Sequence, residues 1–528
     1  MKSAFCAALV GAACSSCATG PSSIGDNYIG PATRREAGAS AAAGNAPAAG
    51  PLELTVEGAI LQGLENNRAL KIEKLSPEIR RTVEGQERAA FDPVLKAGFS
   101  RQDQKAESWS IFPGGITNTT TATDSGEIAL EQFLPTGTRL AIGGNASLTD
   151  SSLSNDNFDS ARVGLSVSQS LLRGGRLAAN LASVRQARLD TLASQYELRG
   201  FAESLVARIE EAYWDCFLAQ RQLDIFAESL KLAEQQLADL RERIRVGSLG
   251  AIEESAAEAE VASRKEGLIN AQSALQTQRL QLLRLVSPPG RSFGRREIAL
   301  RDALPPIETE PEDEESSVRL ALRLRPELNQ AKLNVHRGEL EVVKTKNGLL
   351  PRLDLFVNLG RTGYADSFGS SVGDITRDGH DTTVGVQLEI PLGNRDADSR
   401  HRRAVLSREQ VLEALDNLAQ LAEFDVRSAC VEIRRAREQV AATAATTKFR
   451  EAALRAEAEK FRVGKSTTLL VAQAQRDLLS SRLIEARAAV SYRSALVALY
   501  RFEGSLLERR GIVAPGGEPV TLAGEPSE

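Results

Sequence analysis

Residues 176–246 run without a proline, and within them Leu223, Phe226, Leu230, Ala233, Leu237, Leu240 and Ile244 recur at steps of three and four in turn. That spacing is the seam of a coiled-coil helix. At a rise of about 1.5 Å per residue the helix would reach roughly 105 Å, far more than a globular core needs. A second proline-free stretch of nearly the same length spans residues 396–463. Both stretches end in one phrase: Arg243-Ile244-Arg245-Val246-Gly247 is matched 217 positions later by Lys460-Phe461-Arg462-Val463-Gly464. The chain is therefore read as an internal two-fold repeat. After each Val-Gly break a shorter helix returns, over about 248–286 and about 466–502. Helices of about 56–66 and 69–90, the latter interrupted near Pro77, precede the first set of strands. A pre-strand helix and a return helix together cover most of the length of the long helix, so the two are predicted to stack end to end beside it.

A different periodicity lies between the helices. Val163, Leu165 and Val167 alternate with Gly164, Ser166 and Ser168, and Val384, Val386, Leu388 and Ile390 alternate with Gly385, Gln387 and Glu389. A period of two marks a strand with one apolar face. Strand patterns fall at 94–101, 128–134, 139–148 and 163–171 in the first half and at 353–359 and 384–392 in the second, with polar loops predicted at 107–125, 149–160 and 361–381. Most approach the nine to eleven residues, roughly, that a tilted strand needs to cross a bilayer. Arg325-Pro326-Glu327-Leu328 and Leu350-Pro351 lie 258 positions after their counterparts in the first half, against about 218 for the later landmarks. The difference is an insertion in the first half, and the patterns identify it as an extra strand pair at about 126–150. Phe91, Phe99, Phe133, Phe356 and Tyr364, near strand ends, are candidates for an interfacial aromatic girdle, with ordinary core packing the alternative.

Composition narrows the picture. The 528 residues carry a net charge of −5 with acids and bases interspersed, so nothing marks a nucleic-acid binder. No run of eighteen apolar residues exists, so any membrane crossing must use strands. Residues 1–17 read as an export signal. Cys14 and Cys17 are candidate lipidation sites, with plain cleavage the alternative. Residues 18–53, rich in Ala, Gly, Ser and Pro, read as a flexible tether. The first repeat then occupies 54–286, an acidic Pro-containing connector 287–315, the second repeat 316–510 and a loosely ordered tail 511–528. Cys216 and Cys430, alone on the long helices, are read as buried apolar residues.

Leu54-Thr55-Val56-Glu57-Gly58-Ala59, Phe91-Asp92-Pro93, Gln169-Ser170-Leu171-Leu172-Arg173-Gly174-Gly175, Ala212-Tyr213-Trp214, Arg245-Val246-Gly247, Ile390-Pro391-Leu392-Gly393 and Arg462-Val463-Gly464-Lys465-Ser466-Thr467 together resemble the TolC-like outer-membrane efflux and secretion channels of Gram-negative bacteria. The resemblance covers about 54–510. It implies a mainly α fold with membrane β-barrel strands: a long coiled-coil α-helical barrel in the periplasm beneath a trimeric outer-membrane β-barrel. It also implies a homotrimer with no cofactor, embedded in outer-membrane lipid and giving passive exit when docked to a periplasmic adaptor protein and an inner-membrane transporter. The family's tunnel tips map onto Arg245, Val246, Gly247 and Ser248 and onto Arg462, Val463, Gly464 and Lys465 as adaptor contacts. A glycine that merely ends a helix explains those turns equally well. Many members place acids six and nine positions after the second turn; here those are Leu470 and Gln473. Glu253 and Glu254, after the first turn, are the candidate entrance carboxylates instead. With the extra strand pair, a trimer would have eighteen strands rather than the family's usual twelve.

Three rival readings are tested by the same residues. Gly464-Lys465-Ser466-Thr467 looks like the end of a phosphate-binding loop, but Glu459 stands where the motif requires glycine. His336, His380 and His401 have no metal-ligand spacing. No nucleophile motif accompanies them, so an enzyme is not predicted. A periplasmic coiled-coil scaffold without a pore explains the helices and leaves the strands unexplained. Within the channel reading, small-molecule efflux and type I protein secretion stay open.

Overall fold

The computed structural model describes residues 30–31, 52–109, 116–152, 158–246, 250, 252–288, 297–302, 313–376 and 379–522. Two helical hairpins and one six-stranded sheet make up most of them. The first long helix, Ala182–Arg245, has 64 residues and the second, Arg395–Arg462, has 68. They return as Ile252–Val286 and Thr468–Glu503. The first long helix also packs on Leu75–Arg88 and the second on Pro326–Gly348, so two shorter helices cover each long one in succession. Along the seam Ala233 and Leu240 are buried, and the other five residues are half-buried. The first long helix begins later than residue 176. Leu177–Asn180 is a separate turn, and Asn180 Nδ2 donates to the carbonyls of Pro135 and Gly174 at 2.9 and 2.7 Å. An asparagine engaged in such local ties competes with helix continuation.

The N-terminal helices break where their caps require. Thr55 accepts from Gly58 N at 3.1 Å to start Val56–Asn66, and Asn67 then caps Arg68–Glu73. The chain restarts at Leu75–Arg88 with Pro77 in the first turn, where a missing N–H costs nothing.

The six strands are Val94–Trp109, Ile116–Phe133, Thr138–Ser151, Phe158–Ser170, Arg352–Ala365 and His380–Glu389. They pair antiparallel in chain order, and the fourth and fifth are neighbours although the first hairpin lies between them in sequence. The extra strand pair is thus the second and third member of the sheet itself. Register places Leu95, Leu130, Ile142, Leu165 and Leu359 on one rung across five strands, all exposed in the protomer. Val384, Val386 and Leu388 continue this apolar face on the sixth strand. The opposite face is polar: Lys96 pairs with Glu131 at 2.7 Å, Ser166 Oγ donates to Asn358 at 2.6 Å, and Arg162 pairs with Asp381 at 2.6 Å. The last pair crosses over Gly360, whose absent Cβ would lie 2.5 Å from the Asp381 carboxylate and 2.7 Å from the Arg162 guanidinium.

Three expectations about this region are corrected. Much of 107–125 and 149–160 is strand rather than loop, because Thr-rich polar segments complete the same backbone ladder without an apolar alternation to reveal them. The 361–381 loop contains a short helix, Phe368–Asp374. Among the girdle candidates Phe99 lies on the apolar face, whereas Phe356 lies on the polar face and covers Gly385.

The main core surrounds the middle of the first long helix. Leu198, Leu205, Ile209 and Tyr213 pack there against Ile60, Leu64, Leu282, Val286 and Leu506. Tyr213 hydroxyl, from the Ala-Tyr-Trp motif, bonds the Leu54 carbonyl at 3.2 Å and the Asp302 carboxylate at 3.1 Å. The tether, connector and tail all contribute, which the sequence reading did not foresee. Gly30–Pro31 pairs antiparallel with Ile512–Val513, and Leu52–Leu54 pairs parallel with Ile298–Leu300 from the connector. The tail is docked as far as Leu522: Tyr196 hydroxyl donates to the Glu518 carbonyl, Val520 N donates to Asn329 Oδ1 at 2.8 Å, and Val520 and Leu522 join apolar clusters. Their backbone groups find fixed partners, so ordering is compensated despite the Gly- and Pro-rich composition.

Charged residues are also buried here. Arg199 and Glu203, one turn apart with 3.3 Å between them, are nearly inaccessible. Arg199 also bonds the Gly504 carbonyl at 3.2 Å and pairs with Glu508. Glu508 balances the guanidinium, so Glu203 is the surplus charge, and burial pushes its carboxyl up to about 8. The native state then holds a proton that the unfolded chain releases above its ordinary value near 4.5. The contribution of Glu203 to stability falls as pH rises from about 4.5 to about 8 and levels off beyond. Glu203→Gln is expected to melt like the wild type near pH 4.5 and to be more stable by on the order of 1 kcal/mol or more at pH 9. Parallel thermal melts across that range check it, and equal stabilities at pH 9 would refute it.

Candidate functional site

The far ends of the two hairpins, away from the sheet, meet side by side. At the first, Arg245 closes the helix with its guanidinium on Glu242 at 2.9 Å and Val246 stands exposed. Gly247 and Ser248 lie outside the described residues. At the second, Arg462 pairs with Glu459 at 2.9 Å and Val463 is exposed. Gly464 has φ +74°, the left-handed conformation that glycine adopts without strain. Its N–H donates to the Phe461 carbonyl at 3.1 Å and that of Lys465 to the Lys460 carbonyl at 2.8 Å, a Schellman cap. Thr467 caps the return helix by accepting from Leu470 N. The segment that resembled a phosphate loop is therefore a helix stop followed by a helix start.

The hairpins are clasped together near these tips. Arg243 lies over the Phe461 ring at 5.1 Å, Thr468 hydroxyl donates to Glu253, Arg476 pairs with Glu260 at 2.9 Å, and Arg482 bridges Glu228 at 3.3 Å and Glu451 at 2.7 Å. Inside the clasp is a cavity of about 470 Å³ whose apolar walls include Leu240, Ala256, Phe461 and Val471. Its rim is set by Arg243, Glu253, Glu260 and Arg476. Leu469 and Leu470 stand exposed beside it. The two sequence-derived carboxylates are thus differently placed. Glu253 belongs to the clasp, whereas Glu254 is paired with Arg241 at 2.7 Å and shares it with Glu258. Gln473 sits between Arg476 and Asp477.

Sequence reading missed the clasp, although a signal for it existed. Glu253 with Thr468 and Glu260 with Arg476 stand about one repeat offset apart, so residues at near-equivalent positions of the two halves face one another. The titratable candidates elsewhere are dispersed. His336 bonds the Thr521 carbonyl, His401 bonds Thr345, and His380 opens the sixth strand. Among the described residues no group of three His, Cys, Asp or Glu side chains could hold a metal ion. Cys216 is buried and its thiol pushed up to about 11 by burial, whereas Cys430 is only half-buried. Cys14 and Cys17 lie outside the described residues.

Comparison with known proteins places this geometry. The family model described as outer membrane efflux protein matches residues 59–287 and 318–505. The outer membrane efflux protein BepC of Brucella suis is 23% identical over 327 residues, covering 61% of this chain and 67% of that protein. Among solved structures, the Campylobacter jejuni CmeC outer membrane channel aligns with a TM-score of 0.64 at 15% identity over 85% of this chain and 86% of its own. The open-state MtrE outer membrane channel of Neisseria gonorrhoeae aligns at 0.59 and 18% identity over 85% and 89%.

Proposed function

Because the chain belongs to the outer membrane efflux protein family, and so is an outer-membrane channel component, we propose that three copies form a conduit giving passive exit to the small-molecule cargo of a tripartite pump, drugs and metals among the candidates. The sheet carries this reading. Its apolar rung suits lipid and its polar face suits water, yet its first and last strands leave open edges that cannot face hydrocarbon. Three copies joined edge to edge close the ladder into eighteen strands, and barrels of sixteen to eighteen strands leave an aqueous lumen. The long helices continue that lumen as a periplasmic tunnel. Acylation at Cys14 or Cys17 would tie the N-terminus to the membrane as well.

The tips are the docking end. Val246 and Val463, with Arg245, Gly247, Ser248, Arg462, Gly464 and Lys465 around them, form the contact for a periplasmic adaptor, which couples the tunnel to an inner-membrane transporter. The exposed Leu469 and Leu470 add apolar surface to that contact. The clasp holds the entrance closed at rest. Of the two entrance carboxylates, Glu253 is freed when the clasp opens, while Glu254 stays neutralised by Arg241.

Arg243→Ala/Arg476→Ala removes two inter-hairpin contacts of about 0.5–1 kcal/mol each per protomer. Across three protomers the loss is about 3–6 kcal/mol, enough to raise the open fraction of a mostly closed channel at least tenfold. Single-channel recording of the purified, detergent-extracted protein in a planar bilayer checks it, with electron microscopy of the same sample to count protomers. Discrete openings that become more frequent in the variant support the reading. Silence in both proteins, together with particles that are not trimeric cylinders, would refute it.

A further inference from the structure

A second cavity, about 660 Å³, lies at the opposite end of the hairpins, where the sheet joins the helices. Its walls come from three junctions. They are the segment after the fourth strand, the end of Pro326–Gly348 before the fifth, and the start of Arg395–Arg462 after the sixth. Arg173, Lys344, Arg400 and Arg403 line it against two carboxylates, Glu341 and Asp396. Asp396 is already paired with Arg400 at 2.9 Å, and Glu341 accepts from Gln186 at 3.0 Å. Lys344 Nζ has a neutral partner, Ser183 Oγ, at 3.1 Å. Among the described residues the guanidinium groups of Arg173 and Arg403 have no ion-pair or hydrogen-bond partner.

A second observation points the same way. Asn347, only 8% exposed, accepts from Gly174 N at 2.8 Å through Oδ1, but its Nδ2 group has no acceptor. A buried donor left unpaired costs about 1–3 kcal/mol, and here it borders a cavity rich in cationic donors. Among the described residues no aromatic ring and no large aliphatic side chain lines that cavity, so neither a stacked ring nor an acyl chain is what it is shaped to hold. We propose that this junction cavity binds a phosphate ester, held by Arg173, Lys344 and Arg403 and completed by Asn347. Guanidinium forks and an ammonium match the oxygens of a phosphate, and forked donors favour it over a simple halide. The site stands on the protomer's own geometry and does not depend on closure of a barrel.

The same chemistry has two sources: a soluble phosphate ester, or the phosphoglycerol headgroup of a membrane phospholipid at the level of the strand ends. Phosphorus NMR titration of the full-length protein in dodecyl maltoside separates them. One arm uses sn-glycerol 3-phosphate, and the other uses phosphatidylglycerol against phosphatidylcholine in mixed micelles. Wild type is expected to bind at least one phosphate probe at least tenfold more tightly than Arg173→Gln/Arg403→Gln, with affinity falling as salt is raised. Arg402→Gln, at an exposed neighbour outside the cavity, is expected to bind as the wild type does. Binding of glycerol phosphate assigns the soluble source, and binding of phosphatidylglycerol alone assigns the lipid. The double variant changes exposed, unpartnered side chains and should melt with the wild type. Equal affinity of wild type and double variant for both probes, or no binding of either, would overturn the site.

Discussion

Arg510→Met is expected to cost about 3–5 kcal/mol of stability. Glu210 lies on the first long helix with no solvent exposure, and both its oxygens accept from Arg510, each at 2.6 Å. Removing the guanidinium leaves a carboxylate in the main core with no ionic partner. Two charges withdrawn together from water are nearly balanced, whereas one alone bears the full desolvation penalty. Glu210→Met/Arg510→Met is therefore expected to recover most of the loss, because methionine fills the same space without a charge. Thermal unfolding of the detergent-solubilised protein, followed by helical circular dichroism, gives both values. If Arg510→Met melts within about 1 kcal/mol of wild type, the pair is not holding the C-terminal segment to the long helix.

Leu165→Arg is expected to block assembly, whereas Ser166→Arg is expected to be tolerated. The two residues are adjacent on the fourth strand and point to opposite faces. Leu165 is the fourth residue of the five-residue apolar rung, and an arginine at the midplane of a lipid-facing strand costs about 2–4 kcal/mol, incurred once per protomer. Ser166 faces the polar side beside Asn358, where a charge stays hydrated. The yield of oligomer in the outer-membrane fraction checks both. The reverse ranking would mean that the faces are exchanged, and with them the lumen.

Much of this fold was legible because two devices repeat their period over long stretches. The seam from Leu223 to Ile244 steps at the helical period through seven apolar positions, so the long helix needed no tertiary context. The alternation around Leu165 and Val386 exposed one face of two strands in the same way. Legibility ended where the apolar signal did. In 116–125, Thr and Asp residues join the ladder because their neighbours offer open N–H and C=O groups, a pairing that leaves no mark on the residues themselves. The tip residues could be named from the repeated Val-Gly phrase, but the clasp could not, since Arg476 finds Glu260 only when two hairpins lie side by side.

By itself the sequence determined the two long helices, the helix and strand types and the presence of strands within 126–150, and it supplied the tip positions on which the proposed docking rests. Each rests on local periodicity or on a turn residue, which act over a few bonds. Tertiary structure alone decided the rest. It brought strands Phe158–Ser170 and Arg352–Ala365 together across the whole first hairpin. It drew the Gly- and Pro-rich tail onto Tyr196 and Asn329. It set the buried Glu210 against Arg510, whose guanidinium reaches it from the surface. Those contacts join residues far apart in the chain, and their free energy depends on burial and partner geometry, which exist only once the helices have packed.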